Sequence, residues 1–146
     1  MINFGTTNNN TMKTPQFFFR CNHCGNLIAT FINSGVRPVC CGEPMEELLP
    51  NTVEASTEKH LPVFSKAECG FTVHVGSDPH PMTPEHHITF VYVRTENGGQ
   101  WRELGDKPEA EFCACKDRPV ALFAYCNLHG LWMTEIQEDC CCCCNE

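Results

Sequence analysis

The segment that most constrains this chain is Tyr125-Cys126-Asn127-Leu128-His129-Gly130. It places a thiolate donor and an imidazole donor three residues apart, directly before a glycine, so one tight turn can bring both side chains onto a single metal ion. A strand-like run, Val120 to Tyr125, precedes the turn, and the apolar run Leu131 to Met133 follows it. The sequence therefore predicts a metal-binding turn held between two strands.

Histidines in three upstream segments strengthen this prediction. Each lies at a predicted strand end or in a loop, where side chains from different strands can converge: Glu58-Lys59-His60, His80-Pro81 and His86-His87. Taken singly, His60 or His80 is also consistent with an ordinary exposed loop histidine. Neighbouring residues of a strand point to opposite faces, so His86 and His87 cannot both reach one ion.

One histidine from each upstream segment, with Cys126 and His129, gives four imidazoles and one thiolate. Structural zinc is almost always four-coordinate, so five protein donors favour an octahedrally inclined metal such as iron, with one position left open. The spacing therefore predicts a redox iron site that a substrate can reach.

A second set of donors precedes the histidines. Cys21-x-x-Cys24 and the adjacent pair Cys40-Cys41 supply four thiolates, which suit one tetrahedral iron or zinc ion. The adjacent pair is unusual, because neighbouring side chains diverge and must distort the tetrahedron to share an ion. A structural zinc knuckle and a disulfide cluster remain as alternatives. We predict that His23 is a solvent-facing loop residue and not a ligand.

Charge and cysteine content narrow the class of protein. The chain has 10 basic and 18 acidic residues, a net charge of −8, which argues against nucleic-acid binding. Its 13 cysteines indicate either a disulfide scaffold or metal sites. We find no apolar core of a secretory signal in Met1 to Thr14 and no segment long enough to span a membrane. Cys-x-x-Cys pairs then favour metal binding in the cytoplasm.

The pattern along the chain predicts an all-β protein in two units. We predict a disordered leader (1–15, with a second possible start at Met12), a small metal-held domain (16–50), a larger domain (51–135) and a cysteine-rich tail (136–146). Short strand candidates separated by Gly, Pro and Asn predict an antiparallel sandwich or barrel in the larger domain. These candidates are Leu61 to Phe64, Phe71 to Val75, Ile88 to Val93, Gln100 to Leu104, Glu111 to Cys115, Val120 to Tyr125 and Leu131 to Thr134.

Several motifs, in a fixed order, resemble those of the desulfoferrodoxin family, the two-iron superoxide reductases. They are Cys21-Asn22-His23-Cys24-Gly25-Asn26, Cys40-Cys41-Gly42-Glu43-Pro44-Met45, Glu58-Lys59-His60-x-Pro62-Val63, Val75-Gly76-Ser77, His80-Pro81-Met82, His86, Gly105-Asp106-x-Pro108-Glu109-Ala110 and Tyr125 to Gly130. The resemblance covers about Phe19 to Trp132. It implies a desulforedoxin-like domain with an Fe(Cys)4 centre, followed by an immunoglobulin-like sandwich of seven strands.

The same resemblance implies the ligands and partners. The catalytic Fe(His)4(Cys) centre would use His60, His80, His86, His129 and Cys126. The protein would be a homodimer that reduces superoxide to hydrogen peroxide with electrons from a rubredoxin-type donor. Lys59 would add positive charge and help deliver protons, and Glu58 resembles the family's carboxylate that occupies the open position after oxidation. Without the resemblance, a solvated charge pair remains as an alternative for Glu58-Lys59.

Two other functions compete with superoxide reduction. The first is a non-catalytic iron electron-transfer protein, which has no need of a cation such as Lys59 beside an open position. The second is a zinc-stabilised interaction module, which leaves the histidines unexplained. Cys69, Cys113 and Cys115 match no ligand position, and we predict that they are small packed residues or exposed thiols.

Overall fold

The computed structural model of the chain describes residues 15–113 and 117–137. These ranges contain twelve strands and one helix of four residues, so the prediction of an all-β protein is confirmed. No helix in the described ranges is long and apolar enough to cross a membrane. The predicted leader and tail, with Cys115, fall almost wholly outside the described residues.

The first unit consists of five very short strands. A three-stranded sheet has the order β2-β1-β5, and β3 and β4 form a separate hairpin. Its own buried cluster is small, consisting of Phe19, Cys21 and Met45. The strands are β1 (Phe18–Arg20), β2 (Leu27–Ala29), β3 (Val39–Cys40), β4 (Glu43–Pro44) and β5 (Glu46–Glu47). So little apolar burial stabilises a fold weakly, which is consistent with a unit that depends on metal.

The second unit is a sandwich of seven antiparallel strands. One sheet has the order β10-β7-β6 and the other the order β12-β11-β8-β9. The elements are α1 (Thr57–His60), β6 (Pro62–Lys66), β7 (Phe71–Val75), β8 (Ile88–Thr95), β9 (Gly99–Glu103), β10 (Glu109–Phe112), β11 (Pro119–Cys126) and β12 (Gly130–Glu135). The four-residue helix α1 was not predicted, because a single turn is too short to show a helical period.

Burial in β7 and β11 shows how the layers pack. Phe71, Val73 and Val75 of β7 are buried and alternate with less buried residues, as expected for a strand with one face on the core. Strand β11 is buried on both faces. Its outer face packs, through Phe123, against Phe18 of the first unit, whose ring centroid lies 5.2 Å away. The first unit therefore covers the outer face of the four-stranded sheet.

The connector between the two units is held by Asn51. Its backbone N–H donates to Leu131 O at 3.0 Å. Its side chain donates to Met133 O at 3.0 Å and accepts from the Met133 N–H at 2.9 Å. Asn51 adopts a positive φ of 62°, which asparagine tolerates better than most residues. The connector thus binds the edge of β12. These bonds lie shortly after the turn 126–129, which carries two candidate ligands and is called the ligand turn below.

Candidate metal centres

Four cysteine sulfurs converge at one end of the first unit. The Sγ atoms of Cys21, Cys24, Cys40 and Cys41 all lie within 4.8 Å of one another. Two of the separations are 3.6 Å (Cys24 to Cys40) and 4.0 Å (Cys40 to Cys41). Sulfurs bound to a tetrahedral ion at about 2.3 Å stand about 3.8 Å apart. The four sulfurs therefore fit one tetrahedral metal ion.

The backbone explains how two adjacent cysteines share that ion. Cys41 and Gly42 form the two-residue turn between β3 and β4, with φ of 53° and 78°. Positive φ at both central residues is characteristic of a type I′ hairpin turn. The turn redirects the Cys41 side chain, which would diverge from that of Cys40 in an extended strand. The strain expected from the adjacent pair is thus taken up by the left-handed backbone at Cys41.

Crowding of the sulfurs perturbs their acidity. Backbone N–H groups of Cys24 and His23 lower the pKa of Cys21 to about 6, despite an opposing effect of desolvation. Contacts with Cys24 and Cys21 raise the pKa of Cys41 to about 12. Four thiolates cannot form together without a cation among them. His23 takes no part, because its Nε2 pairs with Glu43 Oε2 at 2.9 Å on the exposed side.

Four imidazole rings form a square at the end of the sandwich. Around the square, adjacent ring centroids are separated by 4.7 Å (His60–His80), 4.5 Å (His80–His86), 4.9 Å (His86–His129) and 4.9 Å (His129–His60). The His60–His86 diagonal is 6.1 Å. Adjacent rings cross at 76° to 90°. Perpendicular neighbours allow four rings to direct nitrogens at one centre without colliding.

Two of the rings are oriented by backbone carbonyls. His60 Nδ1 donates to Ser56 O at 2.6 Å, and His80 Nδ1 donates to Pro81 O at 2.7 Å. A carbonyl only accepts, so the hydrogen is on Nδ1 and each Nε2 presents a lone pair. The two Nε2 atoms are 3.2 Å apart. Two lone pairs at this separation repel each other unless a cation lies beside both.

The other two rings complete the nitrogen donors. His86 Nε2 is buried, and no described residue gives it a hydrogen-bond partner. An unsatisfied buried nitrogen costs about 1–3 kcal/mol, which a metal bond would offset. His129 instead presents Nδ1, 3.0 Å from His60 Nε2. Burial lowers the pKa of His80 to about 4 and also lowers the pKa of His60 and His86, which keeps these rings neutral and able to bind metal.

The fifth donor, Cys126, approaches from the protein interior. Its side chain is fully buried, and its Sγ lies 3.7 Å from His129 Nδ1. Burial raises the pKa of this thiol, although the Leu128 and His129 N–H groups oppose the effect. A bound metal ion would deprotonate it. Trp132 stacks on the His60 ring at 4.9 Å and donates to the backbone carbonyl of His129 at 3.1 Å, so it contacts one ring of the square and holds the backbone of a second.

These donors fit iron better than structural zinc. Four nitrogens and one sulfur exceed the four ligands of structural zinc and leave one octahedral position free. Cys126 is buried, whereas His86 and His129 are partly exposed, so these two rings lie on the solvent side of the donor set. Such a donor set would hold iron close to the surface of the sandwich.

Glu58 and Lys59 lie on α1 beside this site, and neither contributes a ligand atom to the square. Glu58 Oε2 accepts from Ser56 Oγ at 2.8 Å. Lys59 Nζ lies 3.8 Å from Asp78 Oδ2. The positive charge of Lys59 contributes to the lowered pKa of His60 and His86, so Lys59 is within electrostatic reach of two ligand rings.

Several supporting residues were not found by sequence reasoning. The Ser56 and Pro81 carbonyls orient rings, but any residue can supply a carbonyl, so their side chains gave no signal. Asn127, within the ligand turn, accepts from the His87 N–H at 2.9 Å and donates to Glu85 O at 3.0 Å. These bonds tie the loop before β8 to the ligand turn. Cys69 and Cys113 are exposed and lie in neither donor set.

Fold and sites together define an all-β metalloprotein with one four-thiolate centre and one histidine–thiolate centre, a donor set consistent with two iron ions. Comparison with known proteins assigns the family. The family model for desulfoferrodoxin matches residues 52–135, and the model for the desulfoferrodoxin N-terminal domain matches residues 14–48. The chain belongs to the desulfoferrodoxin family.

Individual relatives agree with this assignment. The chain is 42% identical over 126 residues to a desulfoferrodoxin of Nitratidesulfovibrio vulgaris, covering 85% of this chain and 99% of the relative. It is 42% identical over 120 residues to a desulfoferrodoxin of Syntrophotalea carbinolica, covering 80% and 94%. Among solved structures, the superoxide reductase from Treponema pallidum superposes with a TM-score of 0.70 at 34% identity, covering 83% of this chain and 99% of that one.

Proposed function

We propose that this chain is a superoxide reductase, an enzyme that converts superoxide, one electron and two protons to hydrogen peroxide. One observation carries the proposal: four imidazoles form a square, the buried Cys126 thiol lies beside it, and two of the rings, His86 and His129, are partly exposed. The similarity to the treponemal superoxide reductase supports it.

The residues that would hold the catalytic iron are His60, His80, His86, His129 and Cys126, and those for the first iron are Cys21, Cys24, Cys40 and Cys41. When bound, ferrous iron supplies one electron at a position open to a small anion. The Ser56 and Pro81 carbonyls hold two rings in the tautomer that binds metal. A metal-bound Cys126 thiolate would place negative charge on the interior side of the site and would donate electron density to the ion.

Lys59 and Glu58 would act at the open face. Superoxide is an anion and the chain carries a net charge of −8, so a local cation is needed to attract the substrate. Lys59 supplies this charge one residue before His60, and its ammonium would also pass protons to the product through water. Glu58, on the same helical turn, would occupy the open position once the iron is oxidised.

The same proposal includes the domain bounds, the electron donor, the oligomeric state and the compartment. We place the first domain at 16–50 and the catalytic domain at 51–135, with a rubredoxin-type protein as the electron donor. A homodimer is supported by exposed apolar side chains in the first unit: Phe31 is 98% exposed, Ile32 87%, Val36 76% and Val39 67%. The cytoplasm is the expected compartment, because the five cysteines of the two ligand sets must stay reduced to bind metal.

The test is the stoichiometry of superoxide consumption by the reduced, iron-loaded protein. A reductase yields one hydrogen peroxide per superoxide, consumes one electron and releases no oxygen, whereas a dismutase yields half as much peroxide and releases oxygen. Oxidation of the histidine–thiolate centre should follow superoxide addition at a rate that depends on superoxide concentration. Reduced protein that exchanges electrons with a donor but leaves superoxide unreacted would instead be an electron-transfer protein.

A further inference from the structure

The two charged side chains of α1 are each held by a neighbour outside the ligand set. Ser56 Oγ donates to Glu58 Oε2 at 2.8 Å, and Asp78 Oδ2 lies 3.8 Å from Lys59 Nζ. The Lys59 and Asp78 side chains are 48% and 64% exposed, so the pair lies at the solvent boundary. Because Lys59 directly precedes the buried ligand His60, its partner determines how much of its charge is available at the open face.

The turn that carries Asp78 is fixed to α1 by its backbone. The Gly76 N–H donates to Leu61 O at 2.9 Å, and the Asp78 N–H donates to Glu58 O at 3.0 Å. Ser77 Oγ also donates to Glu58 O at 3.3 Å. None of these bonds uses the Asp78 carboxylate. Replacing Asp78 by asparagine therefore removes one charge while the turn keeps its anchors.

We propose that Asp78 is a positioning residue that holds Lys59 back from the open face and limits how strongly the site attracts anions. The inference rests on the proposed function, since it concerns capture of superoxide. An arriving anion must compete with the Asp78 carboxylate for the Lys59 ammonium. Exposed ion pairs are weak, so releasing Lys59 corresponds to about a two- to fivefold gain in anion capture.

The experiment compares the native protein, Asp78→Asn, Lys59→Ala and the double variant, all loaded with iron. Two quantities are measured at low salt: the second-order rate constant with superoxide for the reduced protein, and the dissociation constant of azide for the oxidised protein. Asp78→Asn should improve both about two- to fivefold. The gain should shrink as salt rises, and it should largely disappear in the Lys59→Ala background.

The matched control is Glu111→Gln, which removes the same charge from β10. Glu111 pairs in register with Thr72, towards the end of β7 that is remote from Gly76 and α1. It should change neither quantity by more than the small effect of net charge.

An equal gain from Asp78→Asn with and without Lys59, or an equal gain from Glu111→Gln, would show a general charge effect and overturn the proposal. A loss of anion capture in Asp78→Asn would show that Asp78 directs Lys59 towards the site, and would also overturn it. Native protein that leaves superoxide unreacted would refute the proposed function, while the azide comparison would still decide the role of Asp78.

Discussion

Asn127 offers the sharpest test of how this fold assembles its histidine–thiolate centre. The side chain joins the ligand turn to the loop that carries His86, through the bonds to the His87 N–H and Glu85 O. Asn127→Ala removes both bonds but keeps the backbone bond from the Asn127 N–H to His87 O at 3.1 Å. Each lost bond is worth about 1 kcal/mol, so the loop is loosened by about 2 kcal/mol.

That loss should appear in metal affinity. If the loop must be ordered for His86 to bind, about 2 kcal/mol corresponds to roughly 30-fold weaker iron binding. This lies within the 10- to 100-fold range that is typical when a residue supporting a metal ligand is removed. The measurement is competition between the protein and a chelator for iron under anaerobic conditions. After oxidation, the absorption band of the Cys126 thiolate bound to iron reports how much iron the protein has kept.

Asn51 provides a matched control. Its side chain makes the same two kinds of bond, to the Met133 N–H and Met133 O, but on the connector. Asn51→Gly deletes them and tolerates the positive φ at this position. Both variants should lose similar unfolding free energy, whereas only Asn127→Ala should lose iron affinity. Iron affinity of Asn127→Ala within twofold of native, or an equal loss in Asn51→Gly, would refute the reasoning.

Three further predictions concern the two centres and the cation. Cys41→Ser should remove the visible absorption of the first iron while the rate of superoxide reduction stays within about twofold of native, because each centre has its own ligands. Metal analysis measures the loss of iron, and the rate constant measures the retained activity. Lys59→Ala should slow capture of superoxide by about 10-fold at low salt and flatten its salt dependence, whereas Glu58→Ala should not slow capture. Second-order rate constants measured at several salt concentrations test both expectations. Gly76→Ala should lower the unfolding midpoint and weaken the second centre, because its Cβ would lie 2.3 Å from Asp78 O and 2.7 Å from Lys59 O; thermal unfolding with iron analysis measures both.

Sequence reasoning predicted most of the fold because strand signals are local. The alternation of Phe71, Val73 and Val75 marked β7 with its observed bounds. Strand β11 was harder to interpret, because its continuous apolar run reflects burial on both faces. Its outer face is covered by the first unit, and that contact joins residues about a hundred positions apart along the chain. Local periodicity therefore does not indicate such a contact.

The sequence by itself determined the donors: four cysteines in two pairs, and histidines converging on Cys126-x-x-His129. Donor identity is a property of side-chain chemistry, so it can be read without a structure. Spacing alone did not choose between His86 and His87; tertiary structure directs the His87 ring to Thr83 O and leaves His86 Nε2 buried in the square. Tertiary structure also decided which nitrogen of each ring faces the centre and paired Lys59 with Asp78. The ring orientations depend on nearby backbone carbonyls, which no side-chain pattern marks, and the charge pair joins two separate segments. Only folding fixes both.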